Sequence, residues 1–95
     1  MLHLAQLMED KSYPDSGREL YKILLDAICN SKVIEINMTG VDGLPSMFLN
    51  TSLGPLIQEK GLSVLKKSFK LLNVSKSQIE RINQYFEDYE AGKRK

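Results

Sequence analysis

Apolar side chains recur at intervals of three and four residues in the first third of this chain, which is the spacing of one face of an α-helix. The stripe consists of Leu20, Ile23, Leu24, Ala27 and Ile28. Ser16, with Glu19 three residues later, matches a capping box, so the helix is predicted to begin at Ser16 and to end at residues 30–31. The preceding residues 11–15 contain Pro14 and are predicted to form a turn.

Residues 33–39 change to a period of two, which predicts a β-strand. The apolar and polar members of this strand point in opposite directions: Ile34, Ile36 and Met38 against Glu35 and Asn37. A parallel strand covered by helices on both faces would be apolar throughout. The polar positions therefore predict helices packed mainly on one face of the sheet.

A glycine-rich turn follows the strand, and its Gly40 and Gly43 are expected to supply positive φ angles. A second helix is predicted to begin at Pro45 or Ser46. Pro55 lies inside this helix and has no amide hydrogen, so a kink or an early end is expected there. The predicted buried face of the helix consists of Leu49, Leu53, Leu56 and Ile57.

The last third of the chain predicts three further elements. A short helical turn is expected at residues 63–67, and a strand at residues 69–74. Ser75 and Gln78 have the spacing of a second capping box, which predicts a final helix extending to about Tyr89. The expected buried face of that helix consists of Ile79, Ile82 and Phe86.

The order of elements predicts the class of fold. Together with a weaker strand at residues 2–8, the pattern is β-α-β-α-β-α. Such alternation implies one small α/β domain with a mainly parallel or mixed sheet and right-handed crossovers. The domain is predicted to cover residues 1–90, and residues 91–95 are predicted to be a disordered basic tail.

Composition excludes several classes of protein. The chain has 13 basic and 12 acidic residues, so it lacks the basic excess typical of nucleic-acid binding. Its apolar runs are shorter than the roughly 18–20 residues that span a membrane, and its N-terminus lacks the features of a signal peptide. A single cysteine allows no internal disulfide, which favours a reducing compartment. These features predict a cytoplasmic protein with no membrane partner.

The residue types needed for catalysis or metal binding are scarce. His3 is the only histidine, so any nucleophile activated by an imidazole would need it. One histidine and one cysteine cannot build a structural zinc site, and Cys29 is expected to be a small buried hydrophobic residue. The carboxylates of the first loop match no calcium motif and predict a solvated turn: Glu9, Asp10 and Asp15. The phosphate-loop pattern is missing as well. Neither a cofactor nor a metal nor an enzymatic activity is predicted.

Two groups of residues have both a structural and a functional interpretation. Ser46 can cap the second helix by accepting a hydrogen bond from the amide of residue 48 or 49, or it can be a site of phosphorylation or partner contact. Tyr85, Tyr89 and the basic residues 93–95 can contact nucleic acid through stacking and phosphate contacts. Acidic residues interrupt this second group, which favours a solvated helix face.

The residues around Ser46 resemble a known family. In the STAS-like domain family of unknown function, a strand leads into a helix with the pattern SSFL-[NE]-x-x-[FL]-G-x-L. The strand at residues 33–40 and the residues after it are similar to that arrangement: Ser46, Met47, Phe48, Leu49, Asn50, Leu53, Gly54 and Leu56. The run Ser16-Gly17-Arg18-Glu19 resembles the helix start SGEEFR of the family, and residues 61–71 resemble its third-strand entry.

More distantly, the chain is similar to STAS domains of bacterial anti-sigma-factor antagonists. Ser46 falls on the serine that a kinase partner phosphorylates in those proteins. Pro45 and Phe48 depart from that pattern, because they replace its aspartate and glycine.

The resemblance implies a bacterial regulatory domain that recognises a protein partner and has no enzymatic activity. The implied partner is a kinase of anti-sigma type, such as a histidine-kinase-like ATPase. Ser46 is the predicted phosphorylation or contact residue, and the predicted contact loop around it consists of Gly40, Val41, Asp42, Gly43, Leu44, Pro45, Met47 and Phe48. Two alternatives remain open. One is a nucleic-acid-associated accessory protein of a mobile-element or defence operon, and the other is an enzyme that depends on His3.

Overall fold

The computed structural model describes residues 1–9 and 11–92. The strands are β1 (Leu2–His3), β2 (Ile34–Asn37) and β3 (Phe69–Leu72). The helices are α1 (Leu4–Met8), α2 (Tyr13–Cys29), α3 (Ser46–Lys60), α4 (Leu62–Lys66) and α5 (Lys76–Gly92). The predicted alternation of strands and helices is confirmed. The short helical turn predicted at residues 63–67 is present as α4, and the short helix α1 is an addition.

The three strands form one parallel sheet in the order β1-β2-β3. Its central strand buries Ile36, and Met38 just after the strand is also buried, whereas Glu35 is exposed. In the register between β2 and β3, Glu35 is the neighbour of Lys70, which is exposed as well. This alternation of buried and exposed positions confirms that the helices pack mainly on one face of the sheet.

The core lies between that face of the sheet and the long helices. A small apolar cavity within the core is lined by residues of β2, β3, α2, α3 and α5, among them Ile36, Phe69, Leu20, Phe48 and Ile82. The predicted stripe of α2 and the predicted face of α3 both point into this core. The periodicity of apolar residues was therefore a sound guide to packing.

The first helical turn of α2 differs from its prediction. Ser12, not Ser16, is the N-cap, and its hydroxyl accepts a hydrogen bond from the Asp15 amide at 3.3 Å. Ser16 is fully buried one turn later, where its hydroxyl donates to the carbonyl of Ser12 at 3.0 Å. The helix begins early because Pro14 fits the first turn of a helix as well as it fits a loop. The capping box predicted at Ser16 was therefore wrong.

Three further predictions differ from the structure in whole or in part. Residues 2–8 contain only a two-residue strand, because Leu4 and Leu7 are buried at helical spacing in α1. Of the kink or early end expected at Pro55, the early end does not occur: α3 continues to Lys60, since the burial of its residues on both sides of the proline supports it. Cys29 is exposed because it lies one position further around α2 than the half-buried Ile28.

The final helix also differs in detail. Ile79 is 41% exposed, and Tyr85 takes its place in the buried stripe with Ile82 and Phe86. The backbone of α5 continues to Gly92, beyond the predicted end at Tyr89. The basic residues 93–95 lie outside the described residues, as does Asp10 of the first loop.

Candidate functional site

The candidate site lies where β2 ends and α3 begins. Asn37 is the last residue of β2, and its side-chain oxygen accepts hydrogen bonds from the Thr39 amide at 2.9 Å and from Asn73 Nδ2 at 3.2 Å. Asn73 follows β3 and has a φ of +54°. These bonds tie together the carboxyl ends of two neighbouring strands, so the connection to α3 leaves from a fixed edge of the sheet.

The chain turns sharply after this edge. Gly40 has a φ of +84°, as predicted, and the amide of Val41 donates to the carbonyl of Met38 at 3.1 Å. Gly43 does not have a positive φ, and a Cβ there would meet nothing within 4 Å. The prediction for Gly43 was therefore wrong, because a single left-handed residue is sufficient to reverse the chain here.

We refer to residues 40–48 as the 40–48 segment. It divides into a buried and an exposed part. Leu44 and Phe48 belong to the core, with 6% and 1% exposure, and Val41 and Pro45 are half-buried. The other five residues are exposed: Gly40, Asp42, Gly43, Ser46 and Met47. Leu44 and Phe48 do not belong to the exposed part of the predicted contact loop, because their side chains pack in the core.

Ser46 does not cap its own helix. Pro45 is the N-cap, with extended φ and ψ and no side-chain cap bond, so Ser46 becomes the first helical residue. Its hydroxyl instead accepts a hydrogen bond from Arg81 Nη2 at 3.0 Å. Arg81 Nε donates to the carbonyl of Leu44 at 3.1 Å. The predicted cap was wrong because proline already occupies the capping position.

Gln78 makes a second connection between α5 and the 40–48 segment. The predicted capping box is confirmed, since the Ser75 amide donates to Gln78 Oε1 at 3.0 Å and the Gln78 amide donates to Ser75 Oγ at 3.2 Å. In addition, Gln78 Nε2 donates to the carbonyl of Val41 at 2.6 Å. Neither this bond nor the role of Arg81 is predictable from the sequence, because neither contact leaves a periodic or local signal.

The helices α3 and α5 lie side by side and run in the same direction. Arg81 contacts Ser46, and Tyr85 Oη donates to Asn50 Oδ1 at 2.9 Å, a pair with the same offset of 35 residues. The same offset relates Tyr89 to Gly54, where an added Cβ would lie 3.5 Å from the tyrosine ring and 2.9 Å from Tyr85 Oη. The glycine thus permits the close approach of the two helices.

The environment of Tyr85 changes its chemistry. Its side chain is 8% exposed, and its hydroxyl also donates to the carbonyl of Leu49 at 3.3 Å. Burial, with a smaller contribution from Tyr89, raises the pKa of Tyr85 to about 12. The prediction of a solvated face was wrong for this residue. Its ring is also not available for stacking, which removes one of the two aromatic groups that the nucleic-acid alternative required.

On its other side, α3 packs closely against α2. A Cβ at Gly17 would lie 1.8 Å from Thr51 Oγ1 and 2.8 Å from the carbonyl of Phe48. The neighbouring Ser16 and Ser52 are both fully buried. Small residues therefore allow α2 to approach the first two turns of α3, which fixes the position of the exposed serine.

The described part of the chain contains no group of three His, Cys, Asp or Glu residues that could hold a metal ion. Within the same residues, no helix is long and apolar enough to cross a membrane. His3 and Cys29 are exposed on β1 and at the end of α2 respectively, and neither contributes a hydrogen bond to the Ser46 hydroxyl.

Comparison with known proteins gives one family. The model of the STAS-like domain of unknown function (DUF4325) matches residues 16–78, which is well over half of the chain. Searches of curated proteins and of solved structures gave no significant match. The matched region contains the 40–48 segment and Gln78, whereas Arg81 and Tyr85 lie after its end. The chain has the small α/β fold expected of this group, with a three-stranded parallel sheet and five helices among the described residues, and it belongs to the family of STAS-like domains of unknown function.

Proposed function

We propose that this domain is a non-enzymatic regulatory module of the bacterial cytoplasm that binds a protein partner through the exposed part of the 40–48 segment. The observation that carries the proposal is the position of Met47. This side chain is 55% exposed in the first turn of α3, between Ser46, which is also exposed, and Phe48, which is buried. An exposed methionine next to a buried core residue is an adaptable apolar contact for another protein.

The charges near Arg81 support a protein partner over a charged polymer. Asp42 and Gly43 are exposed beside Arg81, and together with Leu44, Ser77 and Gln78 they line a shallow cleft. The cleft contains one acidic and one basic side chain, and the whole chain has a net charge of +1. A surface without an excess of positive charge favours a protein over a nucleic acid as partner.

Phosphorylation of Ser46 is the proposed form of regulation. The hydroxyl is exposed at the start of a helix, where amide groups and the helix dipole favour negative charge. Arg81 already donates to this hydroxyl and can bind a phosphate. A phosphate would add about −1.5 to −2 charges and would expel a partner that binds the unmodified surface. By the family resemblance, that partner is a kinase of anti-sigma type, such as a histidine-kinase-like ATPase.

Under this proposal Ser46 does not act as a catalytic nucleophile, for a chemical reason. A nucleophilic serine needs a neighbouring base that accepts its proton. The group that contacts its hydroxyl is instead the Arg81 guanidinium, which is permanently protonated and can only donate. Such a contact lowers the nucleophilicity of the oxygen and suits recognition.

A pair of matched surface variants tests the binding proposal. Met47→Asp and Val64→Asp each place a carboxylate on an exposed helical position, in α3 and in α4 respectively. Proteins captured by the immobilised domain from cells that encode it are compared by quantitative mass spectrometry. Each candidate is then purified and titrated by calorimetry. We expect a protein that binds the unaltered domain and Val64→Asp equally, and binds Met47→Asp at least about tenfold more weakly. If no binding protein depends on Met47, the proposed surface is wrong.

The regulation is tested with the same purified partner. Ser46→Asp is expected to weaken binding, whereas Ser46→Ala is expected to leave it nearly unchanged. Mass spectrometry of the domain isolated from its own cells checks whether Ser46 carries a phosphate. Equal binding by both variants would exclude the switch but would leave the binding surface in place.

A further inference from the structure

The connection between β2 and α3 has few hydrogen bonds of its own. Residues 41–45 have no regular secondary structure. The backbone bonds at their two ends run from the Val41 amide to the Met38 carbonyl and from the Leu49 amide to the Pro45 carbonyl. The carbonyls of Val41 and Leu44 are instead paired with side chains of α5, at 2.6 Å to Gln78 Nε2 and at 3.1 Å to Arg81 Nε. These two donors lie three residues apart on α5, and their two acceptors lie three residues apart in the 40–48 segment.

The oxygen and the nitrogen of the Gln78 side-chain amide form hydrogen bonds with two different parts of the chain. Its oxygen accepts the Ser75 amide, which caps α5, while its nitrogen donates to the carbonyl of Val41. The side chain is 7% exposed, so neither bond is easily replaced by water. If Gln78 moves, the cap of α5 and the support of the 40–48 segment are both lost.

Arg81 continues this connection one turn further along α5. Its guanidinium bonds the carbonyl of Leu44 with Nε and the hydroxyl of Ser46 with Nη2. Because these two nitrogens are fixed in one plane, Arg81 fixes the position of the Leu44 carbonyl relative to that of the hydroxyl of Ser46, the first residue of α3. A lysine ammonium could not hold both acceptors with the same fixed geometry.

We propose that Gln78 and Arg81 are positioning residues that together form a latch. Their hydrogen bonds hold the 40–48 segment against α5, so that this segment and the first turns of α5 unfold locally as one unit. A partner bound at the 40–48 segment would then reduce the mobility of α5. In return, an interaction at α5 would change the mobility of the segment and its affinity for the partner. That consequence for binding rests on the proposed function. The latch itself is a property of the isolated domain and is measured without any partner.

Gln78→Glu is the sharpest test of the latch. Glutamate keeps the acceptor oxygen for the Ser75 amide and is a natural member of a capping box, but its carboxylate cannot donate to the carbonyl of Val41. The matched control is Gln58→Glu, the same chemical change at an exposed position of α3. Amide hydrogen exchange of the isolated domain is followed by NMR in both variants. We expect exchange of the hydrogen-bonded amides at the two ends of this connection, Val41 and Leu49, to rise about tenfold in Gln78→Glu and to stay unchanged in Gln58→Glu.

Two further variants separate the latch from general loss of stability. Arg81→Lys is expected to raise exchange at the Leu49 amide more than at the Val41 amide. Ser75→Ala, altered on the α5 side, is expected to raise exchange both at the Ile79 amide of α5 and at the Val41 amide. The proposal is overturned if the Val41 amide exchanges alike in Gln78→Glu and Gln58→Glu. It is also overturned if the core amides of Leu24 and Leu56 respond as strongly as the Val41 amide, or if Ser75→Ala affects α5 alone.

Discussion

The helices α3 and α5 begin close together, yet their first turns are stabilised in different ways. The start of α5 is held by the reciprocal bonds between Ser75 and Gln78, which are three residues apart. The start of α3 has a proline at the capping position and depends on Arg81, which is 35 residues away from Ser46. One helix start is thus a local property of the sequence, and the other exists only in the folded molecule. The second is the start that carries the exposed serine and methionine.

The largest expected effect on stability comes from removing the buried aromatic ring in the first turn of α3. Phe48→Ala deletes a ring that is 1% exposed, and we expect a loss of about 3–5 kcal/mol in the free energy of unfolding. Urea denaturation followed by circular dichroism measures it. The neighbouring Met47→Ala is the control, with an expected change within about 0.5 kcal/mol because its side chain is mostly exposed. Similar losses in the two variants would contradict the division of the segment into a buried and an exposed part.

A smaller loss is expected when α2 can no longer approach α3. The methyl group of Gly17→Ala would collide with Thr51 Oγ1 and with the carbonyl of Phe48, so the two helices must move apart at a cost of about 1–3 kcal/mol. Denaturation of Gly43→Ala provides the comparison, because a methyl group there meets nothing within 4 Å. A stability of Gly17→Ala equal to that of the unaltered chain would show that the start of α3 does not require this contact.

The contact between α3 and α5 is tested at Tyr85. Tyr85→Phe removes the hydroxyl that donates to Asn50 and Leu49, with an expected loss of about 1–1.5 kcal/mol at neutral pH.

The same variant is expected to change the dependence of stability on pH. The folded-state pKa of Tyr85 is about 12, against 10 as the ordinary value. Above pH 10 the unfolded chain therefore loses this proton first, and the stability of the domain falls as the pH rises towards 12. Denaturation at a series of pH values is expected to show a shallower fall in Tyr85→Phe. A fall of the same slope in both proteins would mean that Tyr85 titrates normally.

The smallest effects compare the two serines directly. Ser75→Ala is expected to cost about 0.5–1 kcal/mol, because it removes a true N-cap. Ser46→Ala is expected to cost less than about 0.5 kcal/mol, since its hydroxyl caps nothing and Arg81 keeps its bond to the carbonyl of Leu44. Equal losses, measured by thermal unfolding, would remove the distinction between the two helix starts.

The same distinction explains which predictions from sequence succeeded. The apolar stripes of α2 and α3, the strand around Ile36 and the capping box of α5 depend on neighbours within a few positions, and they were predicted correctly. The contacts that hold the 40–48 segment were not predicted, because the bonds from Gln78 to Val41 and from Arg81 to Ser46 join residues more than 30 positions apart. Such contacts between irregular backbone and a helix have no periodic signature.

The errors in the helices have a related cause. Ser12 and Ser16 both have the residue type of an N-cap. Pro14 fits the first helical turn, and the packing of α2 against α3 buries Ser16 beside Gly17, so the cap lies at Ser12. Pro55 weakens a helix locally, but the burial of Leu53, Leu56 and Ile57 outweighs that loss. In both cases tertiary packing overrode a correct local preference.

The exposed Cys29 provides a site for specific chemical labelling of this protein. It is the only cysteine of the chain and ends α2, just before the strand β2 whose opposite end leads into the 40–48 segment. A maleimide dye or a linker to a sensor chip can therefore be attached at a single defined position, remote from the exposed serine and methionine. Immobilised in this way, the domain would present its 40–48 segment to the solution in one uniform orientation.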